Sequence, residues 1–348
     1  GWVGVFIQST FLSLVPHTVA NREGAVQTYC PANRELGLCV RPPRRITRSV
    51  SPMPIHPGHH PRNLHRDGYD YTVLTARCPE LAARVIEHAR GGPTIDFTDP
   101  ESVRALNRAL LLTGYGLEEW SLPPGALCPP VPGRADLIHH LADLLGPDTR
   151  HAVLLDIGTG ASVIYPAIGA AAYGWRFVGT EHDPAAAAWA GGLVARNPVL
   201  AGRVEIRRQP DPLQVFAGVI WPGERFAASL CNPPFYTSEE EAEAATRRKL
   251  RALGVADAGP PVRHFGGCAH ELWCAGGEEG FLGRMIDESA ARPRLCRWFT
   301  TLVSSGGRLP ALRRRLVAAG AAEVRVIGWA LGVKQTRLLA WTFEPAAT

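Results

Sequence analysis

The sequence lacks the cysteine pairs of a zinc or redox motif and the long apolar run of a membrane span. Its eight cysteines contain no Cys-x-x-Cys spacing, which argues against a zinc ribbon or a dithiol redox centre and favours reduced thiols inside the cell. The apolar stretch at residues 1–16 is too short to cross a bilayer. We therefore expect an intracellular protein with no metal site and no membrane association.

Acidic residues are scarce at the N-terminus. Of the 37 basic and 32 acidic residues, residues 1–66 hold eight arginines and two glutamates, so the rest of the chain is nearly balanced. A basic arm of this kind suits binding to phosphate groups. We predict a basic, disordered extension over residues 1–55. A cleaved organellar transit peptide is an alternative, and the nucleus and the cytoplasm are both open as locations.

Residues 56–133 are predicted to form a small helical subdomain. Apolar residues fall at helical spacing over residues 71–89, with a helix start at Pro79-Glu80. Asp99-Pro100-Glu101 opens a second helix, because an aspartate cap and a proline in the first turn both favour helix initiation. A linker rich in proline and glycine follows, and a third helix is predicted over residues 135–145.

From residue 151 onward, short apolar runs typical of strands alternate with helical patterns. This alternation predicts a parallel, doubly wound α/β sheet whose ligands lie beyond the carboxyl ends of its strands. We assign residues 134–348 to this domain. Residues 237–264 are rich in charge, glycine and proline, and we predict that they form a mobile insertion.

A glycine-rich turn, Asp156-x-Gly158-x-Gly160, follows the first strand of this domain. Glycines let the backbone approach a ligand closely and let the next helix begin tightly. The full dinucleotide fingerprint is not met, because Val163 occupies the position of its third glycine. Glu181 ends the next strand, and a carboxylate there can accept hydrogen bonds from both ribose hydroxyls of an adenosine.

The segment Asn232-Pro233-Pro234-Phe235 follows an apolar strand at residues 226–230. The two prolines cannot continue a strand, so the chain leaves the sheet as a rigid loop. An adenine amino group is a poor nucleophile until its hydrogens are held. The Asn232 side-chain oxygen and the Pro233 carbonyl can accept them while Phe235 stacks on the base. Together with the ribose carboxylate, this loop favours an S-adenosylmethionine-dependent methyltransferase.

Longer stretches of the chain resemble the RNA adenine-N6 methyltransferases, a family that joins the bacterial 23S ribosomal RNA enzyme and the eukaryotic methyltransferase-like protein 16. The resemblance spans about residues 56–345 and rests on His60-Pro61-Arg62-Asn63, Asp156 to Pro166, Thr180-Glu181, Asn232 to Phe235, Gly276-Gly277-Glu278 and Gln335-Thr336-Arg337. It implies a Rossmann-like class I methyltransferase sheet, S-adenosylmethionine as the cofactor, and a structured RNA similar to U6 small nuclear RNA or 23S ribosomal RNA as the partner.

The resemblance also implies roles for individual residues. The catalytic loop would consist of Asn232, Pro233, Pro234 and Phe235. The cofactor would be held by Arg134, Asp156, Gly158, Gly160, Ser162, Glu181, Pro212 and Asn232. The RNA would be contacted by Arg62, Asn63, His65, Arg66 and Arg337, so residues 56–133 become an RNA-binding subdomain.

Two other functions stay open. Protein glutamine N5-methyltransferases share the Asn-Pro-Pro-aromatic loop, since an amide nitrogen poses the same chemical problem, although the basic N-terminus favours RNA. A catalytically silent RNA-binding protein could keep the fold, although intact motifs at residues 156–162 and 232–235 argue against it.

Overall fold

The computed structural model describes residues 55–89, 91–238, 240, 241, 244, 272–332 and 334–345. The predicted extension lies outside the described residues except for residue 55, and so does most of the predicted insertion near residues 237–264. The basic extension, the mobile insertion and the division into domains therefore stay predictions.

Ten strands are present in the described part of the chain. Eight of them form one sheet in the order β1-β9-β10-β8-β7-β4-β5-β6, in which β10 is the antiparallel strand. The predicted α/β sheet is confirmed. The strands are β1 (Ile55–Pro57), β2 (Val85–Glu87), β3 (Pro93–Ile95), β4 (Val153–Ile157), β5 (Arg176–Glu181), β6 (Val204–Arg208), β7 (Phe226–Cys231), β8 (Cys296–Leu302), β9 (Glu323–Leu331) and β10 (Lys334–Thr342).

The helices begin where the sequence supplies caps. The side chains of Asp70, Asp99 and Asp183 each accept two backbone N–H groups from the helix that follows, which satisfies donors that a helix start leaves without partners. Seven α-helices lie among the described residues: α1 (Tyr71–Arg77), α2 (Pro100–Gly114), α3 (Val131–Leu145), α4 (Ile164–Tyr173), α5 (Pro184–Arg196), α6 (Gly277–Ala291) and α7 (Leu309–Ala318).

The prediction of helix over residues 71–89 is wrong in its second half. After α1 a 3-10 helix covers Pro79–Arg84, and β2 then pairs with β3 in a separate two-stranded sheet. The β-branched pair Val85-Ile86 suits a strand, and Gly91 and Gly92 adopt the positive φ angles that the connecting turn requires. The third helix begins at Val131 rather than at residue 135, because Pro132 fits its first turn.

The N-terminal helices share one hydrophobic core with the sheet. Buried side chains of α2 and α3, such as Leu111 and Ile138, belong to the same cluster as Ile168 of α4 and Trp329 of β9. The Trp120 indole, in the linker between α2 and α3, donates a hydrogen bond to the Ser162 carbonyl at 3.0 Å. The helices before β4 thus belong to the same hydrophobic core as the sheet.

Five cysteines in the described part of the chain are free: Cys78, Cys128, Cys231, Cys274 and Cys296. None of the helices described combines the length and the apolar composition that crossing a bilayer requires.

Candidate active site

Three neighbouring parallel strands bring the predicted site residues to one edge of the sheet. Ile157 at the end of β4 is level with Thr180 of β5 and with Cys231 of β7. The residues that follow these positions are Gly158, Glu181 and Asn232. The structure therefore brings the glycine turn, the ribose carboxylate and the catalytic loop together, as expected for the carboxyl ends of parallel strands.

Glu181, at the end of β5, holds the glycine turn next to this strand through hydrogen bonds. Its carboxylate accepts the Gly160 N–H at 2.9 Å through one oxygen and the Asp183 N–H at 2.9 Å through the other. Gly158 and Gly160 have φ angles of 69° and 65°, which favour glycine. A Cβ atom built on Gly158 would have no atom within 4 Å, so its backbone borders open space where a ligand can approach.

Val163 is under conformational strain immediately after this turn. It is a buried, β-branched residue with a φ angle of 44°, in the left-handed region that such residues rarely adopt. Strain of this kind is characteristic of functional sites, where the surroundings hold a residue in an unfavourable conformation. The position is the one at which a dinucleotide fingerprint would have glycine.

Asp156 carries a fully buried carboxylate next to the turn. Neither of its oxygens has a hydrogen-bond partner among the described residues. Burial raises the pKa of Asp156 to about 7, and the Glu181 carboxylate adds to this rise, while the Arg134 guanidinium opposes it. A buried, unpartnered carboxylate suits a ligand with a positive charge, and S-adenosylmethionine has an ammonium group and a sulfonium centre. The residues present therefore fit this cofactor.

The other predicted cofactor residues lie around the same edge. Arg134 in the first turn of α3 donates to the Tyr165 hydroxyl at 2.8 Å, and its guanidinium lies 5.5 Å from the centroid of that ring. Ser162 is buried, whereas Pro212 is exposed on the loop after β6. That loop begins next to Glu181, whose carbonyl accepts the Gln209 N–H at 2.8 Å.

The Asn232 side chain of the catalytic loop is available to bind a substrate. Asn232 is half-buried, and its side-chain amide forms no hydrogen bond with any residue that the structure describes. Pro233 is buried, and Pro234 and Phe235 are half-buried. Leu272, which no sequence motif indicates, also holds this loop in place. Its carbonyl accepts the N–H groups of Phe235 and Tyr236 at 3.0 Å each.

The predicted RNA residues fall into two groups. Asn63 and His65 are buried and bonded within the protein, Asn63 to the Pro132 carbonyl at 2.9 Å and His65 to the Tyr115 hydroxyl at 3.1 Å. Their burial does not favour direct RNA contact, which stays a prediction for them. Arg62 and Arg66 have about half of their side-chain surfaces exposed, 46% and 49%.

Arg337 lies at the same edge of the sheet as the catalytic loop. Because β10 is antiparallel to β8, the beginning of β10 is next to the end of β8, and Val303 N–H donates to the Arg337 carbonyl at 3.0 Å. The guanidinium packs over Gly306, where an added Cβ atom would be 3.2 Å from Nε. Arg337 is half-buried, and it also donates to the Gln335 side chain.

One cluster in the described residues has the composition of a metal site. The ligand atoms of His60, His140 and Asp143 all lie within 4.8 Å of one another. The Nδ1 atom of His60 accepts the Arg62 N–H at 3.1 Å, which assigns the ring proton to Nε2, 2.9 Å from the Asp143 carboxylate. The Arg62 guanidinium binds the same carboxylate. These bonds occupy both His60 nitrogens, so the cluster is a hydrogen-bonded network between the N-terminal segment and α3.

A sheet of this topology, with a carboxylate-held glycine turn beside an Asn-Pro-Pro-Phe loop, defines the class of S-adenosylmethionine-dependent methyltransferases. A family profile described as RNA methyltransferase matches residues 53–345. The chain therefore belongs to this family of RNA methyltransferases, and it is an enzyme that uses S-adenosylmethionine to methylate RNA. The predictions of family, fold class, enzymatic activity, cofactor and RNA partner are confirmed.

Curated bacterial proteins match most of the chain. The chain is 49% identical over 294 residues to "Ribosomal RNA large subunit methyltransferase F" of Yersinia enterocolitica, a match that covers 82% of this chain and 88% of the relative. The protein of the same name from Serratia proteamaculans is 48% identical over 297 residues, covering 83% of this chain and 88% of the relative.

Solved structures of METTL16 have the same fold. The METTL16 catalytic domain in complex with MAT2A 3'UTR hairpin 6 superposes with a TM-score of 0.68 at 30% identity, covering 84% of this chain and 99% of that chain. The N-terminal domain of human METTL16 in complex with SAH superposes with a TM-score of 0.65 at 26% identity, covering 82% of this chain and 99% of that chain.

Proposed function

We propose that this enzyme methylates the N6 atom of an adenosine in large-subunit ribosomal RNA. The observation that carries the proposal is the position of Asn232 beside Gly158 at the common edge of β4 and β7. The loop that suits an amino group is thereby next to the turn that suits the cofactor. The names of the bacterial relatives support ribosomal RNA as the substrate.

The chemistry requires the amino group to be held while its lone pair turns toward the methyl group. When bound, S-adenosylmethionine supplies an electrophilic methyl group on a sulfonium centre. The Asn232 side-chain oxygen and the Pro233 carbonyl would each accept one N–H of the amino group, and Phe235 would stack on the base. Rigid prolines and the hydrogen bonds to Leu272 fix these acceptors in advance, so little reorganisation is needed during the reaction.

A target adenosine has to leave its helix or loop to reach this edge, because a stacked and paired base does not expose its amino group to such a loop. The segment of residues 59–66 provides an RNA-facing surface nearby. Arg62, Leu64 and Arg66 are exposed there, and 62% of Leu64 is exposed. The two arginines suit phosphate groups, and Leu64 offers an apolar contact between them.

The test is transfer of labelled methyl from S-adenosylmethionine to an unmodified large-subunit ribosomal RNA transcript, followed by nucleoside analysis. The wild-type enzyme should form N6-methyladenosine. Asn232→Ala should retain cofactor binding and lose transfer by roughly 100-fold or more, the scale of removing an electrostatic stabiliser. Asn232→Asp keeps an oxygen acceptor and should retain more activity than the alanine variant. Full activity in Asn232→Ala would refute the assigned role.

A parallel assay with total cellular protein in place of the transcript tests the second candidate function. Label in a protein glutamine, with none in RNA, would favour a glutamine N5-methyltransferase. We propose a cytoplasmic location, which the ribosomal RNA named in the bacterial relatives supports. The bacterial relatives support neither the nuclear location nor the transit peptide that the sequence left open.

A further inference from the structure

The catalytic loop is bonded to the segment by which the chain returns to the sheet after the insertion. Phe235 and Tyr236 both donate to the Leu272 carbonyl, and the Cys274 N–H donates to the Tyr236 carbonyl at 3.1 Å. Tyr236 also forms an isolated parallel bridge with Trp273. The position of the catalytic loop therefore depends on what holds residues 272–274.

Two glycines connect residues 272–274 to α6. Gly276 and Gly277 have φ angles of 78° and 57°. A Cβ atom on Gly277 would lie 2.9 Å from Cγ2 of Thr237 and 3.5 Å from the Tyr236 carbonyl carbon. Such a close approach is possible only for glycine, and it places the first turn of α6 directly against the end of the catalytic loop.

Glu278, in this first turn, has a side chain that is 0% exposed. One of its carboxylate oxygens accepts the Ser304 N–H at 2.7 Å, and the other accepts the Ser304 hydroxyl. The Nε atom of Arg308 is 3.2 Å from this second oxygen. Ser304 follows β8, and β8 pairs with β7, which ends at the catalytic loop. Glu278 thus joins the start of α6 to the strand beside the catalytic strand.

We propose that Glu278 is a positioning residue for methyl transfer, an inference that rests on the proposed function. The contacts form a closed ring that runs from Asn232 through β7 and β8 to Ser304 and Glu278. The ring closes through Gly277, whose N–H donates to the Cys274 carbonyl at 2.8 Å, and from Cys274 back to Tyr236. Glu278 does not touch the reacting groups. It holds the backbone whose hydrogen bonds fix Asn232 and Phe235, so its loss acts on the chemical step. Gly158 and Glu181 lie outside the ring, so the part of cofactor binding that depends on them is spared.

The neighbouring glutamate provides a matched control, because the side chain of Glu279 is 82% exposed. Glu278→Gln should lower kcat roughly 10- to 100-fold, since small misplacements of reacting groups cost rate on this scale. Its Kd for cofactor and its KM for RNA should stay close to the wild-type values. Glu279→Gln should behave as wild type. Ser304→Ala should also lower kcat. The kcat of the double variant should be only slightly below that of Glu278→Gln, because both substitutions break the same contact between Glu278 and Ser304.

Two results would overturn the inference. One is a wild-type kcat in Glu278→Gln. The other is a parallel fall of kcat, cofactor affinity and Tm, which would indicate a role in stability alone. Amide hydrogen exchange gives a readout without catalysis: Glu278→Gln should accelerate exchange at Phe235, Tyr236 and Cys274, and unchanged exchange there would contradict the positioning role. If wild-type enzyme methylated no RNA while this acceleration was observed, the proposed function would fail and the structural ring would stand.

Discussion

The Nδ2 atom of Asn63 lies 2.6 Å from Oδ1 of Asp136, a carboxylate on α3 that is 0% exposed. Asp136 also accepts the His60 N–H at 2.8 Å, and its other oxygen lies 2.8 Å from Nδ1 of His59. One buried anion therefore orders the segment whose opposite side presents Arg62, Leu64 and Arg66. Arg134, a predicted cofactor residue, is two positions earlier on the same helix.

We predict that Asp136→Asn weakens RNA binding and spares the cofactor. The substitution keeps the size of the side chain but removes the charge that holds the 59–66 segment. Hydrogen bonds to a charged group are worth about 1.5–3 kcal/mol, so the Kd for RNA should rise by roughly tenfold or more. Filter binding of a ribosomal RNA transcript would measure this, with Asp148→Asn, an exposed aspartate after α3, as the control. Equal RNA affinity in both variants would contradict the prediction.

Two buried histidines should make the protein less stable at acidic pH. Burial lowers the pKa of His65 to about 4, and burial together with the positive charge of Arg62 lowers the pKa of His139 to about 4. Both rings stay neutral in the folded state, whereas the unfolded chain takes up protons near pH 6.5. Stability is therefore complete above pH 6.5 and is lost as the pH falls toward 4.

At pH 5 each ring should cost about 2 kcal/mol of unfolding free energy by proton linkage. Urea denaturation at pH 7.5 and at pH 5 measures the difference. His65→Gln should reduce the loss between these two pH values, because glutamine does not titrate. An unaltered pH dependence in that variant would show that His65 is not responsible.

Cofactor binding should release protons near neutral pH. Asp156 has a pKa of about 7, so a large part of the population is protonated there, and a bound cation next to its carboxylate would lower this pKa. Binding at pH 7 should release up to about half a proton. Titration calorimetry in phosphate and in Tris buffer would detect the release as different binding heats. Asp156→Asn should give the same binding heat in both buffers. Equal binding heats for the wild type would contradict the prediction.

The loop after β6 should depend on Glu288. Its carboxylate accepts the N–H groups of Val215, Phe216 and Ala217 at 2.7, 2.9 and 3.0 Å. Glu288→Gln should reduce the unfolding free energy by about 2 kcal/mol, because three backbone donors lose a charged acceptor. The adjacent Asp287 forms a surface ion pair with Arg315 at 2.6 Å, so Asp287→Asn should cost less than about 1 kcal/mol. Equal urea midpoints for the two variants would contradict this prediction.

The sheet and the meeting of the site residues could be predicted from local patterns. Apolar runs that alternate with helical patterns indicate parallel strands. The carboxyl ends of such strands lie at one edge of the sheet, so Gly158, Glu181 and Asn232 meet there. The sequence predicts helix at Val85–Glu87, where the structure has a strand. The apolar spacing there fits the period of a helix and that of a strand, and only pairing with β3 decides between them.

The anchors of the site could not be predicted in this way. Asp136 and Asn63 are 73 residues apart, and Glu278 and Ser304 are 26 apart. No local pattern specifies such pairs, because they arise only when the elements pack. For the same reason the sequence predicts RNA contacts for Asn63 and His65 as well as for Arg62 and Arg66, although Asn63 and His65 are buried within the protein.

The hydrogen bonds between Tyr236 and residues 272–274 have a consequence for engineering. They join the two places where the chain departs from the sheet and returns to it, so the ends of the intervening segment are fixed together independently of its length. Closing a longer loop between fixed ends adds only about 0.6 kcal/mol for each doubling of its length. Residues 245–271 should therefore accept shortening, extension or replacement by a binding module without displacement of Asn232, which makes this segment a natural place to redirect the enzyme to a different RNA.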